Sequence, residues 1–258
     1  MRKRYTAQWH GIRFEDFTTP SSRSFVDEQF FGSFYKLFFE RYRNWKELPP
    51  EWVILKRQAA EFLKGCIADL NTRILSIGCG IGIIEKYLIE EGYRNLEITE
   101  VVQEPLAWIR HFVAPEKIHL GHFPACVQED GKYDLIYLAG VECLFVQEEL
   151  IRLLKSVRSH LTGHGLCTVL SWTYEPCGAI HEIRSVAKEV LDISLETLRL
   201  GRRGQFFGYS RNRNDFYEAL TAAGFIHPKS GLLDKITRWQ TFWIEGKMAQ
   251  VTGHNLKH

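Results

Sequence analysis

Several large functional classes leave marks that this chain lacks. Its six cysteines, Cys66, Cys79, Cys126, Cys143, Cys167 and Cys177, are scattered and form no CxxC pair. That disfavours a zinc site or a disulfide framework and suits free thiols in a reducing cytoplasm. Neither sign of charge dominates. The formal net charge is +2 with histidine neutral, so no global field draws nucleic acid or an anionic membrane to the surface. Long apolar runs are missing too: the basic N-terminus MRKRYTAQWHGIRFEDF has no signal-peptide core, and no window approaches a membrane span. The expected protein is cytoplasmic, with no membrane and no nucleic-acid partner. Repeats, low-complexity segments and a basic stripe are absent as well. What is present is a globular balance, 45% hydrophobic and 25% charged over 258 residues, which suits one domain with a large core and an appendage.

Helical periodicity comes first along the chain. Phe30, Phe31, Phe34, Tyr35, Phe38, Phe39 and Tyr42 fall on one broad helical face, with Ser24 and Asp27 placed to cap its start. Pro49 and Pro50 end that pattern, and EWVILKRQAAEFLKG begins a second helix. Residues 1–70 are therefore expected to form a helical extension, packed on the rest as core or closing over it as a lid. From Arg73 strands and helices alternate: RILSI, a helix over 82–91, LEIT, a helix over 103–112, KIHL, YDLIYL, a helix over 147–161 and GLCTVLSW. Alternation of this kind predicts a mostly parallel sheet covered on both faces. Helical patterns at about 180–200 and 213–223 follow. FIHPKSGLL and RWQTFWIEG then read as two strands whose short connection pairs them antiparallel.

The stretch ILSIGCGIGII, residues 74–84, sits where the first strand of that series turns into a helix, the place where ligands bind in such sheets. A dinucleotide fingerprint needs glycine at 83 or 85, where the chain has Ile83 and Glu85, and a phosphate loop needs GK followed by Ser or Thr. Neither pattern is met, which leaves GxGxG. With Glu100 closing LEITE, and with KYDLIYLAGVECL and SHLTGHGLCTVLSW following in order, residues 72–172 resemble class I S-adenosylmethionine-dependent methyltransferases, with a weaker echo to about residue 245. The resemblance implies a Rossmann-like α/β fold with a seven-stranded sheet, mostly parallel with an antiparallel last strand. It implies a methyltransferase domain over 71–258, with residues 173–213 as a substrate-side insertion. The implied cofactor is S-adenosyl-L-methionine, leaving as S-adenosyl-L-homocysteine. Gly78, Cys79, Gly80 and Gly82 would border its methionine portion, and Glu100 beside Val101 would accept the ribose hydroxyls, one on each carboxylate oxygen. His122 and Phe123 would lie at the adenine, and Ala139 at the end of the fourth strand. Two positions depart from the family's habit: Ser76 stands where an acidic residue usually meets the methionine amino group, and LGHFP where one often meets the adenine.

A sulfonium methyl is already electrophilic, so the protein mainly has to align a nucleophile and exclude water. Position nominates the groups that would do so. Glu142 follows the fourth strand as a polar contact or a water-facing carboxylate. SWTYEPCGAIHEIR brings Trp172, Tyr174, Glu175 and His181 to the substrate entrance, with His181 as the general-base candidate. GRRGQFFGYSRNR, residues 201–213, reads as a deformable loop with four arginines and no acid, in which Arg211 would hold an anionic acceptor group near Tyr209. No NPPY- or DPPY-type tetrapeptide follows the fourth strand. A small-molecule acceptor methylated on a hydroxyl, amine or carboxylate is the expected substrate, a sugar or natural-product intermediate for example, and no metal is expected. Two alternatives stay open: a protein or RNA methyltransferase docking its partner on the N-terminal helices, and a noncatalytic protein that keeps the fold.

Overall fold

The first thirteen residues are extended rather than helical in the computed structural model, which describes residues 1–67, 69–176, 204–234 and 239–248 together with positions 183, 187, 190, 191 and 194. Strand β1 (Arg2–Thr6) leads into a hairpin of β2 (Gln8–Trp9) and β3 (Ile12–Arg13). Its two turn residues, His10 and Gly11, have φ of 49° and 74°. Positive φ at both centres is the type I′ geometry, whose twist matches the flanking strands. The helical expectation for residues 1–70 is thus met only after this strap. Helix α1 (Glu28–Arg41) starts where Asp27 accepts the backbone N–H of Phe30 at 2.8 Å, and α2 (Pro50–Cys66) carries its proline in the first turn, where no N–H is needed.

Parallel strands β4 (Ile74–Ile77), β5 (Leu96–Glu100), β6 (Ile118–Leu120) and β7 (Tyr133–Ala139) form one side of a seven-stranded sheet, with β6 at its edge. Strand β8 (Leu161–Pro176) joins β7 in parallel. Strand β9 (Gln205–Ser210) lies outside this sheet and pairs antiparallel with β1, from Arg2 opposite Ser210 to Thr6 opposite Gln205. Strands β10 (Ile226–Asp234) and β11 (Trp239–Lys247) complete the sheet as an antiparallel pair, and its order is β10-β11-β8-β7-β4-β5-β6. Residues 205–210 are therefore a strand and not the loop expected there. The reason is local: Phe206 and Phe207 are both buried, and β1 supplies the partner backbone.

Helices α3 (Ile83–Glu90), α4 (Leu106–Ile109), α5 (Gln147–Ser159) and α6 (Arg213–Ala222) connect the strands. The helix expected over 103–112 shrinks to one turn because tighter bonds flank it, Leu106 N to the Gln103 carbonyl at 3.0 Å and Phe112 N to that of Ile109 at 3.0 Å. Helices α5 and α6 cover one face of the sheet through Leu150, Leu154, Phe216 and Leu220, while α2 and α3 cover the other through Ala59, Leu63, Ile84 and Leu88. A third apolar cluster joins the strap to α1 and β9: Ile12, Phe14, Phe34, Phe38 and Phe207. Phe14, Phe34 and Phe38 are at most 1% exposed, and each contributes about 1.5–3 kcal/mol by burial. Among the described residues no helix is long and apolar enough to cross a membrane.

Candidate active site

At the carboxyl end of β4 the chain makes a left-handed turn at three glycines, Gly78, Gly80 and Gly82, with φ of 67°, 59° and 76°. These values favour glycine on backbone grounds, and close approaches add to the constraint. A Cβ at Gly78 would sit 3.0 Å from Val141, and one at Gly82 2.9 Å from the Phe112 ring. Gly82 thereby lets α3 begin hard against α4, while Gly78 and Gly80 border a cavity of about 1020 Å³. Glu100 ends the neighbouring strand and is 5% exposed. Its carboxylate accepts the Gly80 N–H at 2.9 Å and the Val101 N–H at 2.8 Å, with that of Val102 at 3.3 Å. Burial outweighs those three donors and pushes the carboxyl up to about 7.

Under the glycine turn lies a buried polar group that sequence reading missed. Glu85, in the first turn of α3, is 2% exposed and lines the cavity. One of its oxygens accepts both the Ser76 hydroxyl and the Tyr137 hydroxyl, each at 2.6 Å. A carboxylate therefore stands against Ser76, at the point where the sequence showed only a serine. Desolvation raises the Glu85 pKa, against the two hydroxyls and the charge of Lys56 on α2. Burial pulls the Lys56 ammonium down to about 8, against the opposing pull of Glu85, Glu142 and Cys79. No single local motif announces this group, because Lys56, Ser76, Glu85 and Tyr137 meet only once α2, β4, α3 and β7 have packed.

The opposite wall is aromatic and comes from the N-terminal segment. Trp9 stacks on Phe34 at 4.8 Å between ring centroids, and His10 lies on Trp52 at 3.8 Å. Tyr35 is buried with its hydroxyl beside Gly80, 3.0 Å from where a Cβ would be, and burial together with the Glu100 charge raises its pKa. Burial, reinforced by Lys56, lowers the His10 imidazole to about 3, so it is neutral at any ordinary pH.

No family model matches the chain. Over 100 residues it is 29% identical to N-terminal Xaa-Pro-Lys N-methyltransferase 1 of Danio rerio, a match that covers 37% of this chain and 45% of that relative, under half of its length. Among solved structures it is similar to magnesium protoporphyrin IX methyltransferase from Synechocystis PCC 6803 with bound SAH, at a TM-score of 0.57 and 15% identity, over 86% of this chain and 97% of that one. Human N-acetylserotonin methyltransferase in complex with SAM superposes at a TM-score of 0.53 with 16% identity, over 86% of this chain and 57% of that chain. The chain has the class I methyltransferase fold.

Within this methyltransferase fold most of the residues expected at the cofactor converge. Gly78, Cys79, Gly80, Glu100, Val101, His122, Phe123 and Ala139 all line the one cavity. Their chemistry fits the cofactor: a glycine cradle that a Cβ would crowd, and a buried carboxylate at a strand end able to take two hydroxyls. Gly82 supports the turn from behind instead of lining it. His122 is exposed and pairs with Glu28. The acceptor-side expectations fare differently. Arg211 is 2% exposed and does not line the cavity. Its Nη1 donates to the Glu142 carbonyl at 2.9 Å, its Nη2 to the Phe145 carbonyl and its Nε to Gln147 at 3.1 Å. A buried guanidinium must satisfy its donors, and here it does so on two backbone carbonyls and the Gln147 side chain, which makes it a tie between the end of β9 and the start of α5. Tyr209 packs on Phe206 and beneath Arg211, away from the cavity. Glu142 is fully buried behind the cavity wall, where its carboxylate accepts the Gly140 N–H at 2.8 Å. It neither faces water nor reaches the site. His181, Arg202 and Arg203 lie outside the described residues, as do the side chains of Trp172 and Tyr174.

Proposed function

We propose that the protein is a methyltransferase that uses S-adenosyl-L-methionine and acts on a small molecule with a large apolar body. The observation that supports this most is the convergence, in a methyltransferase fold, of the glycine turn, buried Glu100 and an aromatic cavity at the carboxyl ends of β4, β5 and β7. When bound, the cofactor supplies an electrophilic methyl group on a sulfonium. Gly78 and Gly80 let the backbone approach the methionine portion, Glu100 holds the ribose, and Phe123 packs at the adenine. Glu85 offers a carboxylate to the methionine ammonium in place of the acid missing at Ser76. Trp9, Tyr35, Trp52 and Phe207 shield the transfer from water, and the strap that carries Trp9 closes that wall. A cavity of about 1020 Å³ is at the upper end of what single small-molecule ligands occupy, which leaves space for an acceptor beside the cofactor.

Thermal unfolding with added S-adenosyl-L-homocysteine tests this reading. A ligand that binds only the folded state at a hundredfold excess over its Kd adds about 2.7 kcal/mol, several degrees at this size. An unmoved midpoint at millimolar ligand would count against it. A protein N-terminus, the substrate named for the Danio rerio relative, is the second reading, supported by the 29% identity over 100 residues. It requires a peptide to enter between the strap and β7, and methylation of peptides but of no small acceptor would establish it.

A further inference from the structure

Helix α2 carries three basic side chains, Lys56, Arg57 and Lys64, and Lys56 is the one that turns inward. Arg57 lies over the Tyr87 ring, 5.0 Å from its centroid, and Lys64 pairs with Glu91 at 2.9 Å. Lys56 follows Trp52 by one helical turn and, half-buried, lines the cavity with it. An ammonium there has given up much of its water, which is why its pKa is lowered, and an apolar side chain would complete the wall without that cost. Three groups pull on its charge: Glu85, Glu142 and Cys79. Glu142 lies behind the wall and burial keeps Cys79 a thiol, so Glu85 is the carboxylate among them that meets the same cavity. The Ser76 and Tyr137 hydroxyls, each at 2.6 Å, already hold Glu85 in place without help from Lys56. The wall beneath the glycine turn therefore presents a fixed negative group and, within its electrostatic reach, a positive one.

We propose that Lys56 binds the methionine carboxylate of the cofactor while Glu85 takes the ammonium, so that a helix of the N-terminal extension selects for a donor with its complete amino-acid end. The inference rests on the methyl-transfer reading above and deepens it. Opposite charges on one wall suit an α-amino acid, whose ammonium and carboxylate share a single carbon. The balance of charge agrees. The cofactor brings a sulfonium and an ammonium against one carboxylate, and the protein supplies Glu85 and Glu100 against Lys56, three charges of each sign around the glycine turn. Without Lys56 the methionine carboxylate would share that turn with two protein carboxylates, an arrangement that like charges disfavour.

The test uses the full chain and three ligands: S-adenosyl-L-homocysteine, its decarboxylated analogue S-adenosyl-3-thiopropylamine, and 5′-methylthioadenosine, which has neither charge. Affinities are measured by calorimetry at about pH 7, where Lys56 is charged. Wild type should bind S-adenosyl-L-homocysteine at least about tenfold more tightly than the decarboxylated analogue, the effect of one charge-assisted hydrogen bond. In Lys56→Met, which keeps the side chain long and removes its charge, the two should bind within about threefold of each other. 5′-Methylthioadenosine should bind wild type and variant within about twofold, because its ribose and adenine do not reach the lysine. Lys56→Gln should lose the preference in the same way and serves where the methionine variant does not fold. Equal binding of the first two ligands to wild type, a preference that survives in both variants, or a loss of 5′-methylthioadenosine binding in both as large as that of S-adenosyl-L-homocysteine would overturn the inference. In each of those results the methyl-transfer reading stands, since wild type still binds S-adenosyl-L-homocysteine. If wild type binds none of the three, that reading falls and the Lys56 assignment falls with it.

Discussion

Glu100 is a carboxylate in an expensive place, and the direction of its shift has consequences that can be measured. Its pKa is raised to about 7 by burial, above the ordinary carboxylate range that it has in the unfolded chain. The folded protein therefore holds this proton more tightly than the unfolded one. The group's contribution to stability is greatest in acid and declines as pH rises from the ordinary carboxylate range to about 7. Glu100→Gln should flatten that decline in denaturant unfolding followed across the window; an unaltered slope would assign it to Glu85 or Glu142, whose pKa values burial also raises. Cofactor binding should run the other way. The ribose hydroxyls need a charged acceptor and the sulfonium favours one, so affinity should rise from about pH 6 to about pH 8 in wild type and stay level in Glu100→Gln. Arg211 makes a contrasting case. Its guanidinium serves two carbonyls and Gln147, so Arg211→Ala should lower stability by about 2–4 kcal/mol by leaving buried acceptors unpaired. Cofactor affinity in the folded fraction should be unaltered, and stability within about 0.5 kcal/mol of wild type would show that the tie is dispensable.

The turn between β4 and α3 carries two kinds of glycine that single substitutions should separate. Gly82→Ala sets a methyl group 2.9 Å from Phe112 at positive φ, and should lower the unfolding free energy by about 1–3 kcal/mol through misfit between α3 and α4. Gly80→Ala places its methyl 3.0 Å from the Tyr35 hydroxyl at the cavity. It should reduce cofactor affinity at least as much as stability, and a purely thermal effect would place Gly80 with Gly82. This turn was legible in the sequence because everything that specifies it is local: apolar ILSI, glycines at alternate positions, and a strand ending in Glu100. Strands β4 to β8 and the late hairpin were legible for the same reason, since period and punctuation lie within each segment. Strand β9 was not. Its apolar pair Phe206 and Phe207 was visible, but its partner β1 lies about two hundred residues away and has no periodicity of its own. The same applies to Glu85, which reads as an ordinary first-turn acid until Ser76 and Tyr137 close on it.

At the scale of the whole molecule, the N-terminal segment completes a site whose floor the sheet provides. Residues 1–17 give one strand to β9, Ile12 and Phe14 to the aromatic cluster, and Trp9 and His10 to the cavity wall. Deletion of residues 1–17 should lower the thermal midpoint by several degrees and expose apolar surface to a dye such as ANS. A truncated protein as stable as the full chain would mean that the strap is an accessory. The central claim is narrower: a methyl donor sits on the glycine turn with its ribose on Glu100. Calorimetric titration of wild type and Glu100→Ala with S-adenosyl-L-homocysteine measures this directly. The account predicts one site per chain in wild type and an affinity weaker by about 1–3 kcal/mol in the folded variant, whose thermal midpoint reports separately the cost of leaving the Gly80, Val101 and Val102 N–H groups without their acceptor. No heat from wild type at millimolar ligand, or the same affinity in both proteins, would contradict it.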